Sequence, residues 1–170
     1  MVKNEEAKIE SSMKLRNITK EEFVNAITKD KADGFAKTFV AKADAFDLWD
    51  RCIGAFIEDQ LAGAIIISVS KRNPITANLQ LLHTFAAHRK KGVAKQLCLN
   101  GLDFAVSQNC EYFRVSSEPE SVEFYKRIGF TFLGKQKSGC QLSIFRITGN
   151  RFEDGNYNIT DEGIRKAVYR

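Results

Sequence analysis

An α/β (α+β) domain, with a mixed sheet of about six to seven strands and helices on both faces, is the fold class the sequence predicts. Three observations carry that prediction. Short apolar runs rich in β-branched residues recur along the chain, the most continuous being "LAGAIIISVS" at 61–70. A helical period occupies 89–108, where Ala94, Cys98, Leu102 and Ala105 share a face, with Leu97 and Gly101 beside them. The length of 170 residues, 44% of them hydrophobic, suits one globular domain with a substantial core.

Each element follows from its local pattern. Residues 1–12, "MVKNEEAKIESS", are polar and aperiodic and read as a flexible N-terminal arm. "MKLRNI" alternates as a first strand. "TKEEFVNAITKD" opens with Thr19 and carries Glu22 three residues on, the spacing of a capping box, so a helix follows. A second helix is expected over about 31–45, with Phe35, Phe39 and Val40 on one side. The period then changes. "CIGAFIE" and "LAGAIIISVS" flank Asp59-Gln60 as a hairpin, and the second run is apolar enough to lie centrally in a sheet. A loop with Pro74 leads to the strand "NLQLLHTFA", and the helix over 89–108 comes next. "EYFRVSS" is a strand, and "SVEFYKRIGF" is a short helix stopped at Gly129. "TFLGKQ" and "CQLSIFRI" form a closing hairpin. The tail is polar until "TDEGIRKAVYR", which reads as a short helix after a Thr160 cap.

Composition excludes several classes. The longest apolar stretch has 10 residues, about half a membrane span, and no charged segment followed by an apolar run opens the chain. The expectation is a soluble cytoplasmic protein with no membrane partner. The four cysteines, Cys52, Cys98, Cys110 and Cys140, form no CxxC pair and fall in apolar segments, as reduced structural residues do. His83 and His88 have no acidic or Cys partner at ligand spacing, so no metal is expected.

The net charge of +5 is unevenly spread. Residues 71–95 carry Lys71, Arg72, Arg89, Lys90, Lys91 and Lys95 and no acid. Such a patch is either a solvated face or the site of an anionic partner: nucleotide, phosphate or nucleic acid. The stretch "HRKKGVAKQL" lies at a strand-to-helix turn, where unpaired N–H groups and the positive end of a helix dipole suit a phosphate. Its spacing fits neither a Walker loop nor GxGxxG. It also lacks the interleaved aromatics of a base-stacking surface, so nucleic acid is a poor fit as partner, though not excluded.

With these residues in view, the chain resembles the GNAT superfamily of N-acetyltransferases. That family's [Q/R]-x-x-G-x-[G/A] signature appears as Arg89-Lys90-Lys91-Gly92-Val93-Ala94, and its [F/L]-Y-x-x-x-G-F as Phe124-Tyr125-Lys126-Arg127-Ile128-Gly129-Phe130. The resemblance implies a mostly antiparallel twisted GNAT-like sheet over 13–148, with 149–170 as a C-terminal extension outside it. It implies acetyl-CoA as acyl donor and a small-molecule or protein amine as acceptor. It also implies that the backbone amides of Lys91, Gly92, Val93 and Ala94 hold the pyrophosphate. Lys90, Lys91 and Lys95 are either near the phosphates or solvated, and Arg89 adds attraction. The strand ending at Leu82, His83 and Thr84 would pair with the pantetheine arm.

Catalysis of amine acetylation needs a neutral amine, a polarised thioester and a proton for the leaving thiolate. The resemblance implies that Tyr125 is that acid; a phenol with pKa ~10 suits a thiolate of similar basicity. For the base, Asn78 and Gln80 hold the family's usual positions and neither accepts a proton. His83 is the candidate base or relay, although strand alternation turns it to the opposite face unless a bulge re-aims it. Glu118 reads as a helix cap. Asp44, Asp47 and Asp50 read as turn residues, with an acidic rim for a cationic amine as the other reading. The expected function is direct acetyl transfer to a primary amine. The alternatives are a non-catalytic acyl-CoA-binding module and a nucleic-acid-associated relative. The last 22 residues leave room for a homodimer contact.

Overall fold

The structure of the protein, a computed structural model, describes residues 12–147. Residues 1–11 of the expected arm, and the C-terminal extension with its helix after Thr160, lie outside the described residues. Seven strands form the sheet: β1 (Lys14–Asn17), β2 (Cys52–Ile57), β3 (Gln60–Val69), β4 (Thr76–Thr84), β5 (Tyr112–Ser117), β6 (Thr131–Lys135) and β7 (Gln141–Arg146). The helices are α1 (Lys20–Ala26), α2 (Gly34–Ala45), α3 (Val93–Ser107) and α4 (Val122–Arg127). Strand order is β1-β2-β3-β4-β5-β7-β6. The pairs β1–β2, β2–β3, β5–β7 and β6–β7 are antiparallel, and β4–β5 is parallel, which makes the sheet mixed and mostly antiparallel. Every strand and helix expected between 13 and 147 is present.

Within the described residues the chain falls into two compact units, one of 12–66 with 81–98 and one of 67–80 with 99–147. In the first, α1 is only seven residues long and is held at its start and along one face. Thr19 accepts from the Glu22 N–H and Glu22 accepts from the Thr19 N–H, completing the expected capping box. Phe23 on α1 is fully buried and stacks on Phe39 of α2, with ring centroids 4.3 Å apart. Phe23 also packs against Phe85 and Trp49. Each fully buried Phe is worth about 1.5–3 kcal/mol of transfer free energy, so this aromatic cluster outweighs the poor intrinsic stability of a two-turn helix.

The β2–β3 hairpin turns one residue earlier than its sequence places it. Ile57 pairs with Gln60, and the two central residues are Glu58 (φ 49°) and Asp59 (φ 63°). Positive φ at both positions is the type I′ turn that matches strand twist. The polar pair Asp59-Gln60 drew the turn because neither Glu58 nor Asp59 is followed by the glycine that marks such turns.

In the second unit, Phe113 of β5, Phe145 of β7 and Phe130 form a fully or nearly buried cluster, with Phe130 centroids 5.5 Å and 5.7 Å from the other two. A smaller cluster joins Tyr112 and Ile144 with Ile75 and Leu133. The buried residues of α3 are Val93, Leu97 and Cys98, which belong to the first unit, and Leu102 and Ala105, which belong to the second. Ala94, expected among them, is only half-buried, because the helix starts at Val93 rather than at Arg89 and its inward face begins there.

Candidate active site

Strand β4 ends at Thr84 and is followed by a 3-10 turn, Ala86–His88, and then by the basic turn. Two residues of that turn are left-handed: Lys90 (φ 62°) and Gly92 (φ 79°). Glycine adopts this conformation without a Cβ penalty, and its position at the helix entrance also removes a side chain from the approach to the backbone. The Gly92 carbonyl accepts the first helical bond, from Gln96 N at 3.1 Å. The N–H groups of Gly92, Val93, Ala94 and Lys95 therefore precede the helical ladder and carry the positive end of the α3 dipole. Lys90 and Lys95 are exposed, and Lys91, Gly92 and Ala94 are half-buried. The donors and charges are all of one sign, which fits a pyrophosphate.

Arg89 is committed elsewhere. Its Nη2 donates to the Ala32 carbonyl at 2.7 Å and ties the basic turn to the segment before α2. Strand β4 supplies an edge: its pairing with β5 covers Thr76–Leu79 against Tyr112–Val115, and β4 continues to Thr84. Leu82 and Thr84 are half-buried on that continuation.

His83 lies among aromatic rings, as the alternation of β4 predicts. Phe85 stands edge-on at 5.0 Å, with Phe23 and Phe35 at 6.3 Å and 6.1 Å. Its Nε2 is 3.3 Å from Asp33 Oδ1. Both side chains are essentially sealed from solvent. Burial lowers the His83 pKa, the charge of Arg89 adds to this, and Asp33 opposes it. The net direction keeps the ring neutral. Asp33 stands at the N-cap position of α2 yet makes no capping bond. Its carboxylate instead accepts from Ala86 N (2.7 Å), from Thr28 N (3.2 Å) and from the Thr28 hydroxyl. Burial alone would raise the Asp33 pKa, but these donors outweigh it and lower it. Sequence reasoning missed Asp33, because its partners lie up to 53 residues away and no local pattern announces them.

His88 is buried, and burial, then Lys91, lowers its pKa. Cys52 and Cys98 are fully buried, and burial pushes the Cys52 thiol up to about 12 and raises Cys98 as well, so neither is a nucleophile. Among the described residues no cluster of His, Cys, Asp or Glu is arranged to hold a metal.

Tyr125 belongs to the second unit, and the segment 82–95 belongs to the first. It is buried on α4. The helix closes with a Schellman motif: Phe130 N donates to the Tyr125 carbonyl at 2.9 Å and Gly129 N to the Lys126 carbonyl at 3.0 Å. Gly129 has φ 112°, the left-handed turn the motif requires. The spacing Tyr-x-x-x-Gly-Phe is thus a helix-closing device that also packs Phe130 against Tyr125, with centroids 5.4 Å apart. Glu118 does not cap this helix through its side chain. It heads a 3-10 turn, Pro119–Ser121, and only its carbonyl is used, by Ser121 N. Asp44 binds Lys20 and Trp49, and Asp47 is a left-handed turn residue, so both serve local structure.

The model of the acetyltransferase (GNAT) domain matches residues 15–146, and the chain belongs to that family. The activity that goes with it is acetyl-CoA-dependent N-acetylation. Solved structures share the fold. The PaiA N-acetyltransferase of Thermoplasma acidophilum, in complex with coenzyme A, aligns with a TM-score of 0.64 at 15% identity over 80% of this chain and 99% of its own. A probable acetyltransferase of Staphylococcus epidermidis gives 0.64 at 14% identity, with the same coverage of 80% and 99%. N-acetylglutamate synthase of Neisseria gonorrhoeae, with coenzyme A and N-acetyl-glutamate, gives 0.64 at 9% identity over 81% of this chain and 35% of its own. No curated protein matches the chain in sequence. Among the described residues, no helix is long and apolar enough to cross a membrane.

Proposed function

We propose that this protein acetylates a primary amine by direct transfer in a ternary complex in the cytoplasm, with acetyl-CoA held at the turn Lys91–Ala94 and along the end of β4. The observation that carries this reading is the turn itself: unpaired N–H groups at the start of α3, a left-handed Gly92, and exposed Lys90 and Lys95 with no acid in 71–95. Coenzyme A complexes of structural relatives support the same assignment. Backbone groups of Leu82, His83 and Thr84 would bind the pantetheine amides as an added strand does.

The amine must be neutral to attack. Its nitrogen forms the new C–N bond as the C–S bond breaks, and its proton passes to water. The Tyr125 hydroxyl gives its proton to the leaving sulfur and regains one from solvent. We assign His83 a positioning role: the neutral ring, held by Asp33, fixes the end of β4 against the segment before α2. Protonated, buried thiols at Cys52 and Cys98 favour direct transfer over an acyl-enzyme route.

Thiol release from acetyl-CoA, measured with the full-length protein and a panel of amines, tests the reading. Amine-dependent release with matching N-acetyl product is the expected result. A protein that binds acetyl-CoA tightly yet acetylates nothing across the panel is a binding module instead.

A further inference from the structure

The apolar run of β3 carries one residue that its own pattern disfavours. Gly63 is buried inside the strand, where glycine is a poor strand former and gives the core no side chain. A glycine in such a place marks a close approach by another part of the chain. An added Cβ at Gly63 would lie 2.6 Å from the His83 carbonyl oxygen, 2.8 Å from Val93 Cγ1 and 3.3 Å from Thr84 Cα. The end of β4 and the first residue of α3 therefore meet at one point on β3, all within the first unit. These are the two backbone segments assigned above to the pantetheine arm and to the pyrophosphate.

Neither segment is free to move away. Gly63 is paired with Ala55 of β2, and beside it the Ala62 carbonyl accepts from Phe85 N at 2.9 Å. Further along, Ala86 N donates to Asp33 at 2.7 Å and Arg89 Nη2 donates to the Ala32 carbonyl at 2.7 Å. A methyl group at Gly63 would need the His83 oxygen to withdraw by roughly 0.5–1 Å to reach ordinary contact. That oxygen belongs to backbone, so the end of the strand must shift with it.

We propose that Gly63 is a positioning residue for acetyl-CoA. Its missing side chain lets the end of β4 and the start of α3 close on β3, which fixes the spacing between the pantetheine and pyrophosphate segments. The proposal rests on the acetyltransferase reading above.

Calorimetric titration of the parent, Gly63→Ala and Gly54→Ala with acetyl-CoA tests it. Gly54 is the control. A Cβ there would be as crowded, 2.6 Å from Ile18 Cγ2 and 2.7 Å from Leu61 Cδ1, but those neighbours are side chains outside both cofactor segments. Titrations are run well below each protein's thermal midpoint, so that a general loss of stability does not enter the Kd. Gly63→Ala should raise the Kd about 10- to 100-fold, the scale of a misplacement of about 1 Å, and Gly54→Ala should stay within about twofold of the parent. If Gly63→Ala does not fold, the double variant Gly63→Ala/Val93→Ala, which removes the side-chain contact and keeps the carbonyl one, is compared with Val93→Ala alone, and the same rise is expected. An unchanged Kd in the folded Gly63 variant, or an equal rise in both glycine variants, overturns the proposal. A parent protein that does not bind acetyl-CoA overturns the acetyltransferase reading, and the proposal with it.

Discussion

Tyr125 and Phe130 are joined twice, by a 2.9 Å hydrogen bond from the Phe130 N–H to the Tyr125 carbonyl and by ring packing at 5.4 Å. The two contacts fix the position of Tyr125 from both backbone and side chain. Phe130 also touches Phe113 and Phe145, so its ring is shared between helix closure and core. Phe130→Ala should cost about 3–5 kcal/mol of stability by urea unfolding, the usual range for a deleted buried ring. A loss under ~1 kcal/mol would show that the ring does not anchor this segment.

Tyr125→Phe separates packing from chemistry. The substitution removes one oxygen and leaves the ring against Phe124 and Phe130. Acetyl-CoA affinity should change little, since the hydroxyl matters as thiolate charge develops. Turnover should fall about 10²- to 10⁴-fold in a thiol-release assay. A variant as fast as the parent would make Tyr125 a packing residue, with solvent protonating the sulfur.

The Asp33–His83 contact makes an acid-sensitive latch. The folded state holds His83 neutral and disfavours the proton that an unfolded imidazole takes up below its ordinary 6.5. Stability therefore declines as pH falls through that value. Asp33, held below its ordinary 3.8, adds stability that is present above that value and is lost as pH falls through its lower folded value. Both terms weaken the protein in acid. Urea unfolding at about pH 7.5, 5.5 and 3.5 should show stability declining stepwise, and His83→Gln should flatten the first step. Asp33→Ala, which strands the donors of Thr28, Ala86 and His83, should cost about 3–5 kcal/mol. As a positioning residue, His83→Gln should keep turnover within about tenfold and leave the shape of the pH–rate profile unchanged. Disappearance of a limb from that profile would make His83 the base.

Most of the element order was legible because local periodicity reports which face of a segment is buried. The capping box at Thr19 and Glu22, and the stop at Gly129, are local devices and were readable for that reason. What escaped was set by long-range contact. Asp33 carries no local signal, and only the fold brings Ala86, 53 residues on, to its carboxylate. Arg114 is half-buried in β5 with its Nε shut off from solvent, which the alternation of the strand alone does not announce. The Glu58–Asp59 turn was displaced by one residue because strand pairing, rather than turn propensity, sets it.

The central claim is that the turn at Gly92 binds the pyrophosphate of acetyl-CoA. Gly92→Glu tests it most directly, placing a side chain and a negative charge where unpaired N–H groups should meet an anion. Calorimetric titration with acetyl-CoA should show the variant's Kd raised by about 100-fold or more, since like charges in a confined site cost several kcal/mol, while circular dichroism shows the fold retained. Unchanged affinity in a folded Gly92→Glu protein would contradict the assignment of this turn.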